Sequence, residues 1–258
     1  MDFLSLSWEY LLITLCGGFL SGFIDSIAGG GGLISLPVFL AMGMPPHYAI
    51  GTNKFAATFG SGISTVQFMR AGKVDTGLMK KLVPFTFIGA ALGCLLMLRM
   101  SAAVLQPLVI AALVVVAIFV FSRRDLGAAS TYTGETKKKL IQAVAFAFAI
   151  GIYDGFIGPG TGTFLIIAFA MIGFDFVVAA GNAKVLNFVS NVTAFCLFIY
   201  SGKVLYAYGM TMALGIFIGA FFGSRMAIRR GSGFVRVVMM TVTTLLIGKL
   251  ILQYLGLF

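Results

Sequence analysis

The sequence predicts an all-α, polytopic membrane protein: two homologous five-segment halves in inverted topology, with short or broken helices near the midplane. Three observations carry this prediction. The 258 residues are 60% hydrophobic and only 10% charged, where a soluble domain carries roughly 25% charged residues. The apolar residues fall into ten segments separated by short polar gaps. Landmarks of the first half recur about 130 residues later in the second.

The segments run 8–27, 33–44, 46–69, 76–98, 101–121, 139–157, 162–173, 175–200, 205–228 and 233–256. Most approach the ~20 residues with which a helix crosses a bilayer. Segments 33–44 and 162–173 have twelve residues each, which predicts half-helices or re-entrant pieces. In the first segment, Ser26-Ile27-Ala28 resembles a signal-peptide cleavage site, but the leading stretch carries Asp2 and Glu9 and no basic residue. It is therefore expected to remain as the first membrane helix. Pro45-Pro46 suits the first turn of the third segment, where a missing N–H costs little. The only sizeable gap, SRRDLGAASTYTGETKK at 122–138, reads as a flexible cytoplasmic linker. It separates a first repeat (1–121) from a second (139–258) and leaves no separate soluble domain.

The repeat is visible in matched positions: Gly51 with Gly181, Lys54 with Lys184, Gly72-Lys73-Val74 with Gly202-Lys203-Val204, Gly89 with Gly219, Gly93 with Gly223 and Arg99 with Arg229. Asp25 and Asp154 match at a shift of 129, which implies a one-residue gap in the glycine turn that follows each. Two homologous halves is the economical account.

The charges relate the halves to each other. The net charge of +10 is spread over short gaps between apolar segments, as topology determinants are, and does not point to nucleic acid. Arg70, Lys73, Lys80 and Lys81 crowd one gap whose counterpart holds only Lys203, whereas Arg225, Arg229, Arg230 and Arg236 crowd the gap matching the lone Arg99. Matching loops therefore face opposite sides. With five crossings per half, the basic loops lie inside and both termini outside, an inverted-topology repeat.

Other residues read as structure. Gly18-x-x-x-Gly22, Gly89-x-x-x-Gly93, Gly151-x-x-x-Gly155 and Gly219-x-x-x-Gly223 permit close helix approach. Trp8, Tyr10, Tyr206 and Tyr208 suit interfacial belts. Cys16, Cys94 and Cys196, each alone in an apolar run, read as small core residues. His47 beside the double proline is read as structural. One histidine, no metal-ligand spacing and no catalytic carboxylate pair leave no basis for an enzyme, a metal or a cofactor.

The candidate site centres on the stretch from Asp25 to Lys54 and its second copy. Backbone N–H groups do not go unpaired in lipid, so Gly29, Gly30, Gly31 and Gly32, and the Gly158-Pro159-Gly160-Thr161-Gly162 turn, are expected to line a cavity inside the bundle. The competing reading is an interfacial turn. Each turn opens a short helix whose N-terminus suits an anion. Lys54 and Lys184 are expensive in apolar helices unless they face an aqueous pocket or a partner, the alternative being to snorkel. Helical spacing places Thr58, Ser61 and Thr65 on the face of Lys54, and Asn187 and Asn191 on that of Lys184. Thr52, Asn53 and Asn182 flank the lysines, the two amides offering donors to ligand oxygens. Asp25 and Asp154 are either proton-coupling carboxylates or helix caps.

These residues resemble a known family. Gly18-Phe19-Leu20-Ser21-Gly22-Phe23, the Gly29–Gly32 run, Pro37, Gly51-Thr52-Asn53-Lys54 and the weaker copy ending in Asn182-Ala183-Lys184 are similar to the TauE/SafE, or sulfite exporter, family of bacterial membrane proteins. The resemblance implies a transporter, in the bacterial inner membrane, of a small anion such as sulfite, a sulfonate or another organosulfur compound. It further implies export, with the proton gradient as a driving force, by a monomer or homodimer in the bilayer. An anion channel, or an importer of small organic acids, is the alternative. Reporters fused at Gly72 and at Gly202 are expected to report opposite compartments; the same compartment for both would overturn the inverted arrangement.

Overall fold

In the computed structural model, residues 8–105, 107–108, 111 and 130–254 are described. Most of the fifth apolar segment, and residues 122–129 of the linker, lie outside them. Among the described residues every regular element is a helix: α1 Trp8–Ala28, α2 Gly32–Ala41, α3 Pro46–Arg70, α4 Thr76–Leu98, α5 Lys137–Phe156, α6 Thr161–Ile172, α7 Phe176–Tyr200 and α8 Tyr206–Tyr254. A further helical turn starts at Ala102. Gly231, with φ 78° and ψ −173°, breaks α8 into two helices, in the gap that the sequence pattern leaves between its last two segments.

Five of these helices are long and apolar enough to cross a membrane. The 25-residue α3 is equally long, about 37 Å at 1.5 Å per residue, but its polar stripe lowers its hydropathy. The helices α2 and α6 have 10 and 12 residues, about 15 and 18 Å, half the ~30 Å hydrocarbon thickness. The two short segments are therefore half-helices.

The helices pair across the sequence. The first helix of each half lies along a long helix of the other, α1 on the part of α8 before Gly231 and α5 on α4, while α3 and α7 meet at the centre. Glycine makes the outer pairs possible. A Cβ on Gly22 would fall on the Ile216 carbonyl, and one on Gly219 on that of Phe19; likewise Gly93 meets Ile152 and Gly155 meets Ala90. All four spaced glycine pairs are thus spent at two equivalent helix contacts, where backbones rather than side chains touch.

At the centre α3 and α7 are antiparallel. Gly51 approaches Phe198, Gly62 approaches Phe188 and Phe68 approaches Gly181. Each helix start is tied to the loop after the other: Leu205 N–H donates to Thr52 Oγ1 (3.0 Å) and Asp75 N–H to Asn182 Oδ1 (2.8 Å). Those loops are built alike. Gly72 and Gly202 take φ 65° and 62°, and Lys73 and Lys203 return their N–H to Phe68 and Phe198 carbonyls. Positive φ is where glycine ends a helix without strain.

The basic loops gather at one end. There Lys81 pairs with Glu135 at 2.6 Å, Thr131 N–H bonds the Gly173 carbonyl, and Ser232 Oγ donates to Asp175 Oδ1. At the other end His47 Nε2 contacts the Met100 carbonyl at 3.0 Å, and Lys203 lies over the Tyr48 ring. Two expectations change. Cys16 and Cys196 are exposed on the bundle exterior and only Cys94 is core; a thiol is apolar enough to face lipid. Tyr208 is buried, unlike Trp8, Tyr10 and Tyr206, because it lies on the inward face of α8 with Met212.

Gly219→Ala is expected to destabilise the protein by about 1–3 kcal/mol, since the methyl strikes backbone. Gly233→Ala, with open space around it, is expected to be neutral or stabilising by up to about 1 kcal/mol. Equilibrium unfolding of detergent-solubilised protein compares the two, and equal effects would show that the α1–α8 contact is loose.

Candidate functional site

Each half-helix is set off from the helix before it by a glycine turn. Gly29, Gly158 and Gly160 have φ of 82°, 91° and 78°, so helix ends and restarts there without strain. The two turns lie against each other. A side chain on Gly29 would collide with the backbone of Gly162, and the reverse holds. Thr163 fastens the contact, its N–H donating to the Gly29 carbonyl (3.2 Å) and its hydroxyl to that of Ala28 (2.9 Å). The starts of α2 and α6 therefore converge within the bundle.

A carboxylate from the preceding helix stands at each start. Asp25 Oδ1 accepts the Gly31 N–H at 3.1 Å, and Asp154 Oδ1 accepts the Thr161 hydroxyl at 2.8 Å. Negative charge at a helix N-terminus is favourable. Each carboxylate also holds the lysine of the opposite half: Lys54 Nζ to Asp154 Oδ1 and Lys184 Nζ to Asp25 Oδ2, both at 2.6 Å. The side chains of Lys54, Asp154 and Lys184 are 2%, 1% and 0% exposed; that of Asp25 is 24% exposed.

The polar stripes of α3 and α7 interlock around these pairs. Lys54 Nζ also donates to Asn191 Oδ1 (3.2 Å), and Asn191 Nδ2 reaches Ser61 Oγ and Asn187 Oδ1, both at 3.3 Å. Ser190 Oγ donates to Asp154 Oδ2, with Asn187 Nδ2 at 3.5 Å from the same oxygen. A side chain that gives up water this completely needs such partners.

Between the turns lies a cavity of about 30 Å3, lined by residues that include Asp25, Asn53, Lys54, Asp154 and Asn187. Of the residues singled out in the sequence, Gly29, Gly31, Gly32, Gly160, Thr161 and Gly162 also reach it. The buried Asn53 also lines it, and its amide oxygen, an acceptor, has no partner among the described residues.

Gly30, Thr52, Asn182 and Lys184 are not among the lining residues. Thr52 and Asn182 occupy equivalent positions in the repeat and bind the loops after α7 and α3. Lys184 is screened from the cavity by Asp25.

The cavity also takes in Gly158 and Asn191, both singled out for the site in the sequence, and Ser21 and Ser35, which were not; Ser190 stands behind it on Asp154. Periodicity offered a signal for some of these. Ser21 lies one turn before Asp25, and Ser190 lies between Asn187 and Asn191 on one stripe. Two ammonium groups and two carboxylates leave the site with no net charge. It offers two helix starts, the Lys54 ammonium and the Asn53 amide.

The chain matches the family model described as sulfite exporter TauE/SafE over residues 14–250. It is 33% identical over 248 residues to a probable membrane transporter protein of Haemophilus influenzae, covering 94% of this chain and 95% of that one. Identity is 35% over 247 residues to the probable membrane transporter protein ORF9 of a Sinorhizobium species, covering 95% and 94%. It is 36% over 237 residues to the probable membrane transporter protein YfcA of Escherichia coli K12, covering 90% and 86%. No solved structure matches the chain. The repeated glycine turns, the half-helices they open and the end-to-end similarity together place this multi-pass membrane protein in the sulfite exporter TauE/SafE family.

Proposed function

We propose that the protein is a secondary transporter that exports a small anion, such as sulfite, a sulfonate or another organosulfur compound, by proton-coupled alternating access, and does not convert it chemically. The observation that carries the proposal is the cavity where both glycine turns, Asp25, the Lys54–Asp154 pair and the Asn53 amide converge. Anion oxygens would be held by first-turn amides of α2 and α6, by the Asn53 Nδ2 group and by a lysine ammonium group. The matched loops, the exchanged ion pairs and the antiparallel α3 and α7 support an inverted repeat whose halves rock about the site.

The cavity has room for about two waters, so a sulfite ion would enter only as the halves part. Such a small chamber fits a transporter better than an anion channel, which needs a continuous pore. The clustered basic loops would lie on the cytoplasmic side of a bacterial inner membrane, with both termini outside. The working unit would be a monomer or a homodimer.

Purified protein in liposomes is expected to give saturable flux of at least one of sulfite, thiosulfate, sulfoacetate and taurine, with single-site competition among its substrates. Lys54→Ala and Lys184→Ala are each expected to lower that flux about tenfold or more, the value of a lost charged hydrogen bond, while the protein stays inserted and monodisperse. Full flux in both variants would remove the proposed binding site.

A further inference from the structure

The two buried ion pairs occupy equivalent positions in the repeat but have different surroundings. Asp154 accepts, besides Lys54, the Thr161 and Ser190 hydroxyls and faces the Asn187 amide, and Lys54 has Asn191 as a second acceptor. Asp25 has the Gly31 N–H beside Lys184, and Lys184 has Asp25 as its one ion-pair and hydrogen-bond partner among the described residues. The sequence explains the difference. At the repeat's shift of 130, Asn187, Ser190 and Asn191 correspond to Ala57, Gly60 and Ser61. Where Asp154 meets an amide and a hydroxyl, Asp25 shares the cavity lining with Ala57, and Gly60 is covered by Ile216. The Asp25 side chain is 24% exposed against 1% for Asp154.

We infer that the pairs have separate tasks: Lys54–Asp154 is a fixed strut, and Asp25 is the group that takes up and releases the coupling proton, handing the Lys184 ammonium between itself and the transported anion. This rests on the transport reading above. The step balances as a proton transfer. A proton from cavity water binds a carboxylate oxygen of Asp25, the charge of Lys184 loses its counterion, and one negative charge from the anion replaces it. Loss of that proton restores the carboxylate, which reclaims Lys184 and expels the anion. Proton and monovalent anion therefore cross together, one for one, so an outward anion gradient drives export and carries protons out, in place of the driving proton gradient that the resemblance implied.

The charged groups around Asp25 are accounted for on every packed element. Lys184 of α7 holds it, while Lys54 of α3 and Asp154 of α5 face the same cavity. The short helices α2 and α6 contain no titratable residue. On α8 the nearest basic residue past the Gly223 contact with Ser26 is Arg225, which lies over the Phe221 ring.

The test is pH-difference infrared spectroscopy of the protein in liposomes, without any added anion, reading the C=O stretch of a protonated carboxyl. The wild type is expected to show a pH-dependent band that Asp25→Asn loses and Asp154→Asn keeps. Asp25→Glu, which retains a carboxyl should the amide variant not fold, is expected to shift the band's frequency. No band in the wild type, a band surviving unchanged in Asp25→Asn or Asp25→Glu, or one lost in Asp154→Asn would each overturn the assignment. Because this readout needs no cargo, missing sulfite flux would count against transport and leave the protonation result standing.

Discussion

Two lysine ammonium groups lie where water does not solvate them, and the arrangement of the bundle follows from giving each a carboxylate. Removing one member of such a pair typically costs about 3–5 kcal/mol, because the other charge is left buried alone. In this chain each lysine takes its carboxylate from the other half: Lys54 from Asp154, and Lys184 from Asp25. That exchange requires α3 and α7 to cross in antiparallel contact with their polar stripes facing. It also requires α1 and α5 to approach closely enough to deliver the aspartates. The glycine faces of α1 with α8 and of α4 with α5 supply that closeness.

The paired charges also alter what the helix starts are available to do. A helix N-terminus buried in apolar surroundings attracts negative charge, and here the protein supplies its own at both places. An incoming anion then competes with a resident carboxylate instead of filling an empty positive pocket. In the proposed cycle that competition is the source of coupling, since cargo and carboxylate do not hold the same ammonium at once.

Much of this was legible in the sequence, for identifiable reasons. Apolar runs and their lengths gave the long helices and the two half-helices, because the hydrocarbon thickness sets helix length directly. Gly231 fell in an expected gap, and the spaced glycines met backbone. What periodicity could not supply was partner choice across the bundle. Asp25 and Lys54 stand close in sequence, as do Asp154 and Lys184, and only the crossing of α3 over α7 pairs them the other way. Thr52 and Asn182 stood beside the lysines and looked like ligands, yet a helix turns 100° per residue. Their side chains point to the loops after α7 and α3. Ser190 was overlooked because a lone serine in an apolar helix usually bonds its own backbone, which this one also does through the Asn187 carbonyl.

The exchange of partners has a consequence for how the chain is made. Lys54 precedes Asp154 by 100 residues, and Asp25 precedes Lys184 by 159. At about 5–20 residues per second of synthesis, each early charge waits on the order of 5–30 s before its counterion leaves the ribosome. During that interval the first half holds a cation and an anion with no mates from the second. Helices α1 and α4 likewise still lack α8 and α5. Neither lysine reaches its final carboxylate until the second half is present, so neither half completes its charge pairing alone.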